Sequence, residues 1–392
     1  MRVLHVTPTY VPAWRYGGPI QSVHGLCKAL AGQGVHVDVA TTSVDGAETL
    51  RVPAGTPVEL DGVIVRYFDS PLLRRLYWSP GLARYVRENL HSYDLVHLHS
   101  IYLWPTSFAA RIARKRGVPY VLSPRGMLVD TLIRRRNRWV KLAWIQLFER
   151  SNLQDAALIH FTSDVEASDA AKLGLAWKAQ CIVPNGVDLP AEPKEGDLLD
   201  AAAIDFGNRP FVMFLGRLTW KKGLDRLISS VARIPDARLL IVGNDEDGYA
   251  EQIEAQAVRE RVRDRVKFAG PVMGAAKQAL LRRAAVFVLP SYSENFGNVV
   301  LEAMAAGCPV VVTPEVGAAS IVEESGAGVV VNGVPAELAV AIAQLLADPV
   351  RRADMGRRGR AAAVAKYSWP AVAVQMLEHY RAAIQGRQVA AA

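Results

Sequence analysis

Cysteine is scarce: three residues, Cys27, Cys181 and Cys308, stand in a chain of 392. They are far apart in apolar surroundings and lack metal-ligand spacing, so neither a disulfide framework nor a structural zinc site is expected. Long hydrophobic runs are also missing. No apolar span of roughly 18 residues is free of charge, and Met1-Arg-Val-Leu-His-Val-Thr7 runs directly into a first strand. The expectation is a soluble, uncleaved protein of a reducing cytoplasm. The chain has no GxGxxG fingerprint, which argues against a dehydrogenase, and no recognised nucleic-acid motif to accompany its positive charge. Internal repeats and low-complexity tracts are absent apart from an Ala-rich tail.

What is present is enough apolar residue, 51% of the chain, for two cores. At this length two domains of about two hundred residues each are the natural division. The net charge of +8 is unevenly spread. Residues 1–190 hold 22 Lys and Arg against 15 Asp and Glu, a balance of +7, while residues 191–392 hold 24 against 23, a balance of +1. Much of the excess lies in Arg134-Arg-Arg-Asn-Arg-Trp-Val-Lys141, followed by Leu142, Trp144 and Leu147 at roughly helical spacing. An anionic membrane surface is one partner for such a face, and plain solvation is the other reading.

Short apolar runs alternate with amphipathic stretches along the whole chain. Strands are expected at Val3–Thr7, Val35–Thr41, Leu95–His99, Tyr120–Ser123, Leu158–Thr162 and Cys181–Pro184. After a polar, acidic segment from Pro190 to Asp205 the rhythm restarts at Phe211–Leu215, Ala237–Val242, Val266–Ala269, Val286–Leu289, Pro309–Thr313 and Gly328–Val331. The fold class is α/β, with two doubly wound Rossmann-like domains. A final amphipathic helix follows Pro370, with Val372, Met376, Leu377 and Tyr380 on one stripe.

Ligands of such sheets bind at the carboxyl ends of strands, and the candidate residues sit in those loops. Ser291-Tyr-Ser-Glu-Asn-Phe-Gly-Asn-Val-Val-Leu-Glu302 reads as a loop opening a helix from Asn298 to Ala306. Glu294 falls in the loop and Glu302 one turn into the helix. Free amides at that helix start attract phosphate, and Gly297 permits close approach. The carboxylates are then available to hold sugar hydroxyls and a ribose diol. Arg217 and Lys222 flank another strand-to-helix loop, where they could neutralise a diphosphate without a metal. In the first half, Gly17-Gly18 opens a helix and is either a ligand loop or a simple turn. His97 and His99 share a strand face. His97 is assigned to packing, while His99, nearer the edge and with an ordinary near-neutral pKa, could orient or protonate a sugar group. Arg125 puts a cation at the same rim, either for an acidic or phosphorylated acceptor or for a neighbouring carboxylate.

These motifs, with the Pro184-Asn-Gly-Val-Asp188 hinge and Ala306-Gly307-Cys-Pro-Val310, resemble the retaining glycosyltransferases of family 4, which have the GT-B fold. The resemblance implies two Rossmann-like domains facing a central cleft, residues 1–188 binding acceptor and residues 189–369 binding donor, with a terminal helix at 370–386 crossing back onto the first. It implies a nucleoside-diphosphate sugar as co-substrate and a glycan or lipid-linked glycan as acceptor, with neither metal nor nucleic acid. On the family's pattern Glu294 contacts the donor sugar and Glu302 the ribose, Arg217 and Lys222 hold the diphosphate, His99 lies near the donor sugar, and Gly17, Gly18, Asn295, Phe296 and Gly297 complete the donor site. Asn295 departs from the glycine usual there, so donor selectivity does not transfer. Leu122-Ser-Pro-Arg-Gly-Met127 looks like bacterial enzymes that build surface polysaccharides, which implies a cytoplasmic or inner-face peripheral location. An epimerase or phosphorylase of the same architecture and a non-catalytic membrane- or polymer-binding scaffold are the alternatives.

Overall fold

The computed structural model describes residues 1–128, 144–190, 194, 196, 201, 204, 206–207, 209–245 and 248–390. The basic stretch Arg134–Lys141 and most of the acidic segment Pro190–Asp205 lie outside these residues. The chain divides into two compact units, Met1–Gly186 with Trp369–Ala392, and Val187–Ser368.

The first unit is built on an eight-stranded sheet. Its order is Gln180–Ile182, Leu158–Phe161, Tyr120–Ser123, Leu95–His99, Arg2–Val6, His36–Thr42, Val63–Phe68 and Pro57–Leu60. All neighbours are parallel except the last pair, a hairpin turned by Asp61 and Gly62, both at positive φ. An Asp-Gly turn of that kind matches the twist of the strands it joins. Valine-rich runs such as Val37, Val39, Val63 and Val65 are buried because helices cover both faces of a parallel sheet. The helix Trp369–Ala390 belongs here: Val372, Ala373, Met376, Leu377 and Tyr380 pack with Ile20, Val23, Leu26 and Leu30 of the helix Gly18–Gly32. A Cβ on Gly25 would stand 2.2 Å from the Trp369 ring, and one on Gly186 2.5 Å from it, so the two glycines form the slot that admits the indole.

The second unit has a six-stranded parallel sheet in the order Val266–Gly270, Leu239–Val242, Val212–Leu215, Val286–Leu289, Val310–Val312 and Gly328–Val330. The four strands from Leu239–Val242 to Val310–Val312 are wholly buried Val, Leu, Ile, Met and Phe, continuous apolar runs that mark a sheet covered on both faces, whereas the edge strand Val266–Gly270 buries only Val266. Because every strand runs the same way, the loops after Leu215, Val242, Leu289 and Val312 emerge at one edge. All three cysteines are buried and free, and burial pushes each thiol up to about 12, so they are packing residues. Among the described residues, no helix is long and apolar enough to cross a membrane.

Candidate functional site

At the carboxyl edge of the second sheet, Val286–Leu289 hands over to Pro290 and the loop that reaches Gly297, where the helix Asn298–Ala305 begins. Gly297 caps that helix at φ 91°, a left-handed conformation that suits glycine. A Cβ there would also press on Val316 Cγ1 at 3.1 Å and Glu294 Cγ at 3.4 Å. The loop is fastened along its length. Glu294 N donates to Glu315 O at 3.1 Å, Gly317 N to Glu294 O at 3.0 Å, and Ala318 N to Phe296 O at 2.8 Å. Phe296 is buried beneath it. The start of the helix, the positive end of its dipole, therefore sits in a rigid frame.

The preceding crossover supplies the cations. Val212–Leu215 ends in Gly216 and Arg217, and the short turn Trp220–Lys222 leads through Gly223 into the helix Leu224–Ala232. Gly223 takes φ 69°, and a Cβ on it would fall 2.0 Å from Pro290 O, so the two loops touch backbone to backbone. Tyr292 N donates to Lys221 O at 2.7 Å, which stitches them again. Lys222 Nζ consequently meets Glu294 Oε2 in a partly buried ion pair. Arg217 is exposed on the same edge. Glu302 faces Lys277 of the helix Gly274–Arg283, with Nζ 2.8 Å from Oε2 and both side chains largely shielded from solvent. Sequence reasoning missed Lys277: a single lysine on an amphipathic helix carries no local signal, and only the packing of the two helices brings it to Glu302. Around the rim, the Arg226 guanidinium lies 3.5 Å from the Tyr292 ring centre, and Tyr292 Oη donates to Asp225 Oδ2 at 2.7 Å. The second unit thus gathers Lys222, Glu294, Asn295, Phe296, Gly297, Arg217 and Glu302 on one sheet edge.

His99, Arg125, Gly17 and Gly18 belong to the first unit. Gly17 takes φ 69° at the start of the helix Gly18–Gly32, and the space beside its Cα is open. The histidines form a wired interior rather than a titrating rim. Arg125 Nη2 lies 3.3 Å from His99 Nδ1, and a guanidinium only donates, so Nδ1 accepts and the His99 proton sits on Nε2. That proton is given to His5 Nδ1 at 2.9 Å. A second wire ends on a carbonyl, which only accepts: His160 Nε2 donates to Val183 O at 2.9 Å, so its Nδ1 accepts from Ser123 Oγ at 2.7 Å. Ser123 Oγ in turn accepts from His97 Nε2 at 2.7 Å, and His97 Nδ1 accepts from Tyr380 Oη at 2.5 Å.

All four imidazoles are neutral. Burial, reinforced by the Arg125 charge, lowers His5 to about 3 and His160 to about 3, and holds His97 and His99 well below the ordinary value. This corrects the expectation of a near-neutral pKa at His99: the residue is enclosed, with both ring nitrogens occupied, and does not exchange protons near neutrality. His97 is buried, with both ring nitrogens hydrogen-bonded. His5, His97 and His99 have nitrogens within 4.8 Å of one another, a spacing compatible with a metal ion. The Arg125 cation next to His99 opposes one, and both nitrogens of His97 and of His99 already have partners. Arg125 itself takes φ 55° and donates from Nη1 to Asn185 Oδ1 at 2.8 Å. Its carboxylate neighbour is not in direct contact: Glu166 accepts instead from Gly126 N at 2.6 Å and from Thr162 N at 2.8 Å, raising the Arg125 pKa that burial lowers.

Residues 17–186 match the family model for the glycosyl transferase 4-like domain, and residues 200–362 match that for glycosyl transferases group 1. A D-inositol 3-phosphate glycosyltransferase of Segniliparus rotundus is 39% identical over 411 residues, spanning 99% of this chain and 89% of that protein. Among solved structures, sucrose-phosphate synthase from Thermosynechococcus elongatus superposes with a TM-score of 0.75 at 24% identity, covering 98% of this chain and 99% of its own. Anabaena HepE in complex with UDP and glucose gives 0.71 at 22% identity, over 97% and 100% of the two chains. With both halves matched and close kinship along almost its full length, the chain belongs to the GT-B-fold glycosyltransferases of the family 4 type and is a hexosyltransferase.

Proposed function

We propose that the protein moves a hexose from a nucleoside-diphosphate sugar to an acceptor hydroxyl with retention at the anomeric carbon, in the synthesis of a polysaccharide or lipid-linked oligosaccharide. The observation that carries this reading is the Lys222–Glu294 ion pair held beside the N-terminus of the helix Asn298–Ala305. An arriving diphosphate takes Lys222 as its counter-ion and leaves the Glu294 carboxylate to accept hydrogen bonds from the donor sugar. Arg217 joins Lys222 on the phosphates, and Glu302, oriented by Lys277, grips the ribose diol. The protein whose solved structure holds UDP and glucose shares this fold, which supports the donor class.

Departure of the diphosphate is the difficult step. Two cations and the helix-start amides stabilise the negative charge that builds on it, a contribution of about several kcal/mol in a site poor in water. As the bond between the anomeric carbon and the phosphate oxygen breaks, the acceptor oxygen bonds to the same face of that carbon. The acceptor's proton passes to the leaving phosphate, so no side chain need serve as base. The fixed cations take the part a metal would otherwise play, and turnover is expected to persist in EDTA. Arg125 is the first unit's fixed cation for an acidic or phosphorylated acceptor.

Calorimetric titration with UDP, GDP and ADP tests the reading without knowledge of the acceptor. One of the three should bind with micromolar affinity; no heat with any of them would overturn the assignment. Incubating the donor without acceptor separates transfer from epimerisation, since only an epimerase would return an altered nucleotide sugar.

A further inference from the structure

Away from these residues, the first unit carries a groove of 670 Å³ between the helices Pro80–Asn89 and Trp104–Arg116. Both helices follow parallel strands of the sheet, Val63–Phe68 and Leu95–His99, so both begin at its carboxyl edge and run toward the other edge. Trp78 and Trp104 stand at that starting end, their ring centres 6.4 Å apart and the planes inclined by 62°. Trp104 stacks on Phe108 at 4.9 Å, and the Arg87 guanidinium lies over the same Phe108 ring at 4.9 Å. Farther along, Arg116 Nη2 donates to Arg87 O at 3.0 Å, and Arg84 is exposed on the facing helix. Against Arg84, Arg87 and Arg116 the lining offers one acid, Glu88.

We propose that this groove binds the extended part of an acidic glycan acceptor. Sugar faces lie on the indoles, carboxylates or phosphates pair with the arginines, and the end to be elongated points to the carboxyl edge of the sheet. The inference rests on the glycosyl-transfer reading and specifies its acceptor class. Guanidinium groups recognise carboxylate and phosphate in planar, paired geometry, and flat aromatic rings suit the apolar faces of sugars. The thirteen-residue helix on one side is ~20 Å long, which suits a run of several sugars rather than one. A flat bilayer would meet projecting side chains, whereas these indoles are half-buried inside a concave slot.

The test is calorimetry on the full chain with tetragalacturonate, maltotetraose, phosphatidylglycerol vesicles and a single-stranded oligothymidylate, with UDP, GDP and ADP titrated in parallel. Tetragalacturonate should bind and maltotetraose much more weakly. The double variant Arg84→Glu/Arg87→Glu should weaken the acidic saccharide roughly tenfold, and Trp78→Ala severalfold, with nucleotide affinity and melting temperature unchanged. Equal binding of the neutral and acidic saccharides, indifference to both variants, absence of saccharide binding, or preference for vesicles or oligothymidylate would overturn the proposal. Nucleotide binding without saccharide binding removes the groove's role alone, whereas saccharide binding without nucleotide binding removes the transfer reading.

Discussion

Tyr380 Oη and His97 Nδ1 are 2.5 Å apart although 283 positions separate them in the chain, so the terminal helix is fastened to the centre of the first sheet by one buried hydrogen bond. Tyr380→Phe keeps the ring's packing and removes the partner that the described residues give the His97 Nδ1 acceptor. A loss of about 1–3 kcal/mol is expected, read as a lower melting temperature, with donor-nucleotide affinity unchanged.

The neutral imidazoles make acid the first unit's weakness. Their folded pKa values are depressed below the ordinary 6.5, His5 and His160 to about 3, so the unfolded chain takes up protons that the folded one refuses. Stability contributed by their neutral burial is complete above about pH 6.5 and is lost as pH falls toward 3. Each imidazole adds a slope of about 1.4 kcal/mol per pH unit within that window. Denaturant titrations from pH 7 to pH 4 should show the slope, and His160→Gln should flatten it. The pH profile of turnover should carry no inflection near 6.5 from His99.

Glu294→Ala and Lys222→Ala are each expected to cut turnover by at least tenfold with unchanged circular dichroism, because each removes one half of the ion pair that we propose meets sugar and phosphate. Near-normal activity in both variants would remove the site assignment.

Lys277 pairs with Glu302, so on the proposed reading it acts through that carboxylate rather than on the substrate. Lys277→Ala should raise the donor KM roughly tenfold and leave kcat within about threefold, the signature of lost uniform binding. An equal fall in kcat would instead place the lysine at the reacting bond.

Two glycines with similar φ should respond differently to alanine. At Gly223 the added carbon would lie 2.0 Å from Pro290 O, and a loss of about 2–4 kcal/mol is expected in the second unit. At Gly17 it would enter open space, and about 1 kcal/mol of backbone strain is the whole cost. Thermal melts of the two variants make the comparison.

The parallel strands were legible because burial on both faces writes them as short apolar runs: Leu95–His99, Tyr120–Ser123 and Val286–Leu289 match to the residue. The hairpin Pro57–Leu60 and Val63–Phe68 escaped, although Asp61-Gly62 between two alternating runs is a strong turn signal. A reading set to βαβ rhythm has no place for two strands without a helix. Glu294, Glu302 and Lys222 were legible because strand-to-helix loops of a parallel sheet converge on one edge. Lys277 and the orientation of His99 were not, since a neighbouring helix supplies the first and Arg125, twenty-six positions away, decides the second.

Trp369, seated in the slot between Gly25 and Gly186, has a consequence for how the molecule is made. The core of Met1–Gly186 is completed by the helix Trp369–Ala390, so on the ribosome that core stays open until residues 369–390 have been added. The insert Val187–Ser368 begins and ends side by side, with Val187 N donating to Tyr367 O at 2.8 Å, and is free to mature first. The unit Val187–Ser368 is therefore expected to be complete before the unit that encloses it in the chain.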